Sequence, residues 1–430
     1  MRAGRSPGGV LFVAGATLAA AWGQTPSTLS LAEAQQFALR NHPRIASATF
    51  AAEAGRAAVN EVRAAYYPSL SANITGVGTQ HNATLSAGFV TTSSLYSRAA
   101  TGIAASQLLT DFGRTSSLEQ TAKLRQASQN QNVINIRAQV LLEVKQAYYA
   151  ALGAEAVLKV ARATLNLRRV TLRQVNALAR SALRSSVDVR FAEVNVSQAE
   201  LDLLRAENDA KANHARLSAA LGYDRDQQFS LLDEPLPPPL QSDPAGLIAE
   251  ALKDRPDLLA LQLNRDALGR FAEAEKRLRN PAVTAAVVAG IAPVRDQRIQ
   301  ETYSGAGINV NIPVLNGGLF KARREQAESR AAAASKDVQD LSVAIARDVR
   351  MAWLEATAAF RRLDVTARMV AEANEALRLA QARYDSALGS IVELNQAQVN
   401  QTSAEISSAS AKYDYLIRRA ALDYTMGALR

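Results

Sequence analysis

Ala38-Leu39-Arg40-Asn41-His42-Pro43-Arg44-Ile45 returns later in the chain as Ala251-Leu252-Lys253-Asp254-Arg255-Pro256-Asp257-Leu258. Three residues are identical, most others keep their character, and the offset of 213 also carries Pro68 onto Pro281. From Ala147 onward the offset is 205, pairing Ala147 with Ala352, Tyr148 with Trp353, Asp188 with Glu393, Asn195 with Asn400 and Gly222 with Gly427. The period is far longer than any solenoid repeat, so the chain is a duplicated unit. The copies run over residues 28–222 and 247–427, and 223–246 is a linker in which Pro237-Pro238-Pro239 excludes helix. The change of offset falls between Pro68 and Ala147 and puts a longer hairpin loop in the first copy.

Each copy opens with a helix. Ser30 and Glu33 form a capping-box pattern, and Pro43 or Pro256 kinks or interrupts the helix. A strand pair follows. Leu70, Ala72 and Ile74 alternate with Ser69, Ser71, Asn73 and Thr75, and the partner strand is Thr101 to Leu109. In the second copy, Ile308, Val310, Ile312 and Val314 alternate with Asn309 and Asn311, opposite Ala282 to Ile291. Apolar residues on one face and small polar ones on the other suit a barrel strand between lipid and an aqueous lumen. They suit a soluble hairpin with one wet face equally well.

The longest elements come next. Arg114 to Ala182 and Leu319 to Ala387 contain no proline and a single glycine, Gly153. Each run would span roughly 100 Å as a helix. Val370, Ala373, Leu377, Ala380, Tyr384 and Ala387 mark a heptad seam, which a helix cannot bury alone. Short tips, Leu183-Arg184-Ser185-Ser186 and Leu388-Gly389-Ser390, lead into returning helices that end before Gly222 and Gly427. The architecture is mostly α, built on two α-hairpins with four strands per chain.

Composition narrows the function. The 430 residues include no cysteine, which excludes disulfides, thiolate nucleophiles and an acylated N-terminal cysteine. The three histidines, His42, His81 and His214, have no metal-ligand spacing. The net charge of +9 is spread over mixed-sign helix faces, without the basic stripe and interleaved aromatics of a nucleic-acid site. Asp111-Phe112-Gly113 matches a kinase triplet, but no glycine-rich loop, catalytic-loop motif or paired lysine accompanies it. No Walker loop, dinucleotide fingerprint or Gly-x-Ser-x-Gly occurs, so neither an enzyme nor a cofactor is expected. Arg2 and Arg5 before an apolar run from Val10 to Ala21, then Ala21-Trp22-Gly23, read as a signal peptide over residues 1–23. No later stretch reaches 18 continuous apolar residues, so any membrane span must be a β-barrel.

Taken in order, these features resemble the TolC family of outer-membrane efflux proteins over roughly residues 28–427. Arg383-Tyr384-Asp385-Ser386-Ala387-Leu388-Gly389-Ser390-Ile391-Val392-Glu393-Leu394-Asn395-Gln396-Ala397-Gln398 resembles the family's periplasmic tip. Leu29-Ser30-Leu31-Ala32-Glu33-Ala34 with Asn41-His42-Pro43 resembles its opening segment, and Asp111-Phe112-Gly113 and Asn316-Gly317-Gly318 its strand-to-helix junctions. The resemblance implies a homotrimer with a twelve-stranded β-barrel among outer-membrane lipid and a coiled-coil α-barrel through the periplasm. It implies an exit duct for an efflux pump or type I secretion system, working with a periplasmic adaptor protein and an inner-membrane transporter.

By the same resemblance, Tyr384 matches a gating tyrosine, Asp188 its acidic hydrogen-bond partner, and Glu393 the first acid of the constriction. Gly389 stands where the family has a gating arginine, and Gln396 where it has a second acid, so no salt-bridged lock is expected. Tyr384 also sits on the heptad seam, where packing alone accounts for it. The exposed tips, with Leu183, Arg184, Leu388 and Gly389, are the expected adaptor-docking end. A soluble periplasmic coiled-coil adaptor or scaffold would share the signal peptide and the heptads, but it has no need of matching strand pairs in both copies.

Overall fold

The computed structural model of this chain describes residues 27–78, 84–87, 90–94, 98–240, 243–295 and 300–429. The expected signal peptide and His81 lie outside them. The first copy begins with strand β1 (Ser27–Leu29) and helix α1 (Leu31–Asn41). The capping box is formed: Ser30 Oγ accepts from the Glu33 N–H at 3.3 Å, and the Glu33 carboxylate accepts from the Ser30 N–H at 2.9 Å. Pro43 interrupts the helix outright. The chain breaks at His42 and restarts as α2 (Pro43–Arg63) with the proline in its first turn, where a missing N–H costs nothing.

Then come β2 (Ser69–Val77), β3 (Thr84–Ala87), β4 (Val90–Ser94) and β5 (Arg98–Thr110). Helix α3 (Arg114–Arg180) is 67 residues long without a break, and α4 (Ser186–Leu221) returns beside it. After β6 (Phe229–Leu231), the second copy repeats the order: α5 (Ala245–Asp254), α6 (Pro256–Lys276), β7 (Ala282–Val294), β8 (Thr302–Asn311), α7 (Leu319–Asp385) and α8 (Ile391–Thr425). Helix α7 is also 67 residues.

Four strands form one antiparallel sheet in the order β2-β5-β7-β8. Register carries the pattern of each strand across all four. Leu70, Ala72 and Ile74 share a face with Ile103 and Ala105 of β5, Val287, Ala289 and Ile291 of β7, and Ile308 and Val310 of β8. Leu70, Ile74, Ile103, Val287, Ile291, Ile308 and Val310 are all exposed. Ser71, Asn73, Thr75, Ser106, Thr284, Asn309 and Asn311 stand on the opposite face. This face, mostly apolar and interrupted at Thr101, Gln107, Thr302 and Ser304, is left bare, as a surface that hydrocarbon covers would be, and the other face is fit for water. No described helix is long and apolar enough to cross a membrane.

The structure corrects several details. Strand β8 stops at Asn311, so Ile312 and Val314 lie in the extended connection to α7. The described residues hold two further strand pairs, β1 with β6 and β3 with β4. The second of these occupies the longer loop of the first copy. The linker is not featureless: it contains β6, and α5 starts at Ala245, inside the expected boundary. Ser186 belongs to α4 rather than to the tip. Asp111 is a helix cap, its carboxylate accepting from the Gly113 N–H at 3.1 Å and the Thr115 N–H at 2.7 Å.

The main core lies where α1, α3 and α4 meet the parallel β1–β6 pair. Tyr148 of α3 is fully buried there. Its hydroxyl accepts from the Leu232 N–H at 3.1 Å and faces the carbonyls of Leu29 and Leu232 at 2.8 and 2.7 Å, to either of which its one hydrogen can be donated. Burial pushes the Tyr148 hydroxyl up to about 12, so it keeps its hydrogen throughout the physiological range. Tyr148→Phe keeps the ring and leaves the Leu232 N–H its bond to the Leu29 carbonyl at 3.2 Å, but it removes the hydroxyl that ties both strands to α3, at about 1 kcal/mol. Amide exchange in residues 27–29 and 229–232 is expected to rise at least about fivefold, as read by mass spectrometry.

Candidate functional site: the hairpin tips

Both hairpins turn at the same end of the molecule, where one apolar cluster joins all four long helices. Val175 of α3, Ala192 of α4, Ala380 and Tyr384 of α7, and Ile391 and Leu394 of α8 are buried together. The two turns have the same construction. Ala182 and Ala387 adopt left-handed backbone, with φ of +52° and +58°. The Leu183 N–H reaches back to the Leu178 carbonyl at 2.9 Å, and the Leu388 N–H to the Arg383 carbonyl at 2.8 Å. These are Schellman closures, with alanine where glycine is usual. Ser185 and Ser390 then cap the returning helices, accepting from the Val187 and Glu393 N–H groups, each at 3.1 Å. Leu183 and Leu388 are left 69% and 74% exposed at the extreme end.

Gly389 is set by close approach. A Cβ there would lie 3.1–3.2 Å from Arg383 Cβ, the Arg383 carbonyl carbon and the Tyr384 nitrogen. An arginine at this position would push into the last turn of α7. The charge of the tips comes from elsewhere, from two arginines that sequence reasoning did not place in the gate.

Arg184 is the first. It stands half-buried, so it is not the free tip residue expected. Its guanidinium lies over the Tyr384 ring, 4.1 Å from the centroid, and donates to the Tyr384 carbonyl. The first hairpin thereby grips the second. Tyr384 is only 1% exposed, and its hydroxyl has no hydrogen-bond partner among the described residues. The expected Tyr384–Asp188 hydrogen bond is therefore not formed. Burial raises the Tyr384 hydroxyl above its usual range and the Asp188 charge adds to this, while Arg184 opposes it. Arg383 is the second: it pairs with Glu393 at 3.0 Å, giving that carboxylate a counter-charge within its own hairpin. Gln396 is exposed and donates to Asn400 at 2.9 Å. The structure thus brings Arg184, Asp188 and Tyr384 together, with Glu393 and Gln396 exposed on α8.

Farther from the tips, buried Arg168 of α3 donates to Gln398 of α8, which donates to Thr171 at 3.2 Å. This polar knot was legible in principle. Leu165, Arg168, Leu172 and Val175 keep heptad spacing, and a polar residue on an apolar seam fixes register at some cost in stability.

The outer membrane efflux protein model matches residues 34–223 and 247–428. The chain belongs to this family. It is 27% identical to outer membrane protein OprJ of Pseudomonas aeruginosa over 387 residues, covering 86% of this chain and 78% of the relative. It is 24% identical to outer membrane protein TolC of Vibrio cholerae, covering 93% and 91%. The solved channel CusC superposes with a TM-score of 0.80 at 18% identity, covering 92% of each chain. This efflux protein is therefore an outer-membrane exit duct with a large periplasmic portion, and not an enzyme. The soluble scaffold alternative falls.

In this efflux protein the Arg184 grip joins a charge-assisted hydrogen bond, about 1.5–3 kcal/mol, to a cation–π contact of about 0.5–1 kcal/mol. Arg184→Ala is expected to speed amide exchange in residues 384–390 by at least about tenfold. Tyr384→Phe keeps the carbonyl and the ring face, so exchange there should match the parent.

Proposed function

We propose that three copies of this chain close into one channel, four strands each, and that each copy of the repeat, 28–222 and 247–427 joined by 223–246, fills an equivalent place in the ring. The observation that carries this is the bare flank of the second copy. By the offset of 205, Ala138 and Tyr149 of α3 correspond to Val343 and Leu354 of α7. The first two are buried and the second two exposed. Helix α3 packs on both α2 and α6, whereas among the described residues α7 packs on α6 with no comparable contact to α2. The first copy has the second beside it, and the second needs the first copy of a neighbouring chain. Sheet and helices agree on direction. Strands β8 and β2 sit at opposite edges with opposite sense, as do α7 and α4 on the helical flanks, so a neighbour continues both layers antiparallel. Four strands fall short of the roughly eight that the smallest barrels need, and three copies give the family's twelve.

The tips are the end away from the membrane, and their exposed leucines suit an apolar contact with a periplasmic adaptor protein that links the duct to an inner-membrane transporter. At the same level Arg184, Asp188 and Tyr384 form the constriction. Glu393, already paired with Arg383, contributes less net charge to it than Asp188 does.

In planar bilayers the detergent-extracted protein is expected to give stepwise conductance, and its absence overturns the duct. Arg184→Ala should raise that conductance more than Tyr384→Phe, and Asp188→Asn should lower cation selectivity more than Glu393→Gln. Aspartate at Leu183 and Leu388 should abolish export while leaving conductance intact. Normal export by that variant overturns the docking assignment.

A further inference from the structure

The internal repeat determines more than the presence of a neighbour. The offset of 205 carries the end of β5 onto the end of β8: Ser106 onto Asn311, then Gln107, Leu108, Leu109 and Thr110 onto Ile312, Pro313, Val314 and Leu315. The ladders agree, since Ser69 pairs with Ser106 in one copy and Ala282 with Asn311 in the other. Yet β5 continues for those four residues and β8 does not.

The difference lies in the neighbour. The last four residues of β5 extend past the end of β2. They are held by β7, with Gln107 opposite Ala285, Leu108 opposite Thr284 and Thr110 opposite Val283, and the register shifts around Leu109. Among the described residues strand β8 has no such neighbour. Ile312 to Leu315 therefore run on without a ladder, and Val314 and Leu315 are each 91% exposed. Two adjacent large apolar side chains this bare, at the edge of a sheet, lack a surface they were shaped for.

Resting on the closure by copies of this chain given above, we propose that Ile312–Leu315 become strand against β2 of the neighbouring copy, in the register that β5 takes against β7. The offset of 213 carries Ala282–Val287 back onto Ser69–Ile74. The register is then Asn309 opposite Thr75, Val310 opposite Ile74, Asn311 opposite Asn73, Ile312 opposite Ala72, Pro313 opposite Ser71 and Leu315 opposite Leu70. Val314 is the bulged residue, as Leu109 is in the first copy. Proline has no N–H to give a ladder and is accepted beside a bulge, so Pro313 fits the place that the repeat assigns it.

The faces supply an independent check. In this register Val310, Ile312 and Leu315 meet Ile74, Ala72 and Leu70, all from the apolar face, while Asn309 and Asn311 meet Thr75 and Asn73. A slip of one residue would set asparagine against isoleucine and turn the polar row toward lipid. Closure thus covers the apolar segment that the single chain leaves bare.

The absence of cysteine makes the test free of background. Two double variants are used, Asn73→Cys with Asn311→Cys, and Ala72→Cys with Ile312→Cys. Facing residues of an antiparallel pair lie about 4.5–5.5 Å apart between Cα atoms, within disulfide reach. The control, Thr75→Cys with Asn311→Cys, is two residues out of register, at about 7–8 Å. After mild oxidation in outer membranes, non-reducing gels are expected to show linked copies at least about fivefold more abundant in the facing pairs than in the control. Stronger linking in the control, with oligomers intact, overturns the register and leaves closure standing. No linking, with each variant and the parent running as single chains in mild detergent, overturns closure and the register with it. Amide exchange of the assembled parent needs no substitution: Val314 and Leu315 are expected to be protected as Gln107–Thr110 are. Free exchange at Val314 and Leu315 in intact oligomers overturns the transition to strand.

Discussion

In hydrocarbon a strand cannot leave its ladder unpaired, because there is no water to satisfy the N–H and C=O groups. That constraint governs this protein. Among the described residues its sheet of β2, β5, β7 and β8 has two open edges, and its mostly apolar face is bare across all four strands. The sheet can enter a membrane only when the edges meet, and its four strands cannot bend round to meet each other. The helices share the constraint. Their uninterrupted 67 residues carry an apolar seam along a length several times the hydrocarbon thickness. Duplication solves both at once, because each copy is shaped to pack on the next.

At the far end the same logic works with charge. The tips are held by the apolar cluster around Tyr384 and Leu394, by two short turns with strained alanines, and by the Arg184 guanidinium across the hairpins. A grip of one hydrogen bond and one ring contact is modest, yet the proposed closure would repeat it in every copy of the chain. It joins the first hairpin to the second, and neither helix depends on it for its own backbone hydrogen bonds. The Arg168–Gln398 knot sits farther up and joins the same two hairpins.

Much of this was legible in the sequence, for physical reasons. The long helices were readable because alanine-rich runs without proline have no alternative conformation to compete with. The capping box at Ser30, the break at Pro43 and the tips before Ser185 and Ser390 depend on local chemistry and fell within a residue or two of expectation. Interactions between distant residues were not readable. Arg184 looked like a solvated tip residue because nothing local records that Tyr384, 200 positions away, lies beneath it. The β1–β6 pair joins residues far apart through three-residue strands too short to show periodicity. Ile312 and Val314 alternate like strand residues and are not strand in the single chain, where among the described residues no ladder reaches them.

The central claim is that one chain is an incomplete wall, completed by two more copies. The direct measurement is the native mass of the protein extracted from outer membranes in mild detergent, by mass spectrometry under non-denaturing conditions. The account predicts a single species of three chains, stable until the detergent or temperature unfolds it. A folded, soluble single chain, stable without detergent, would contradict it.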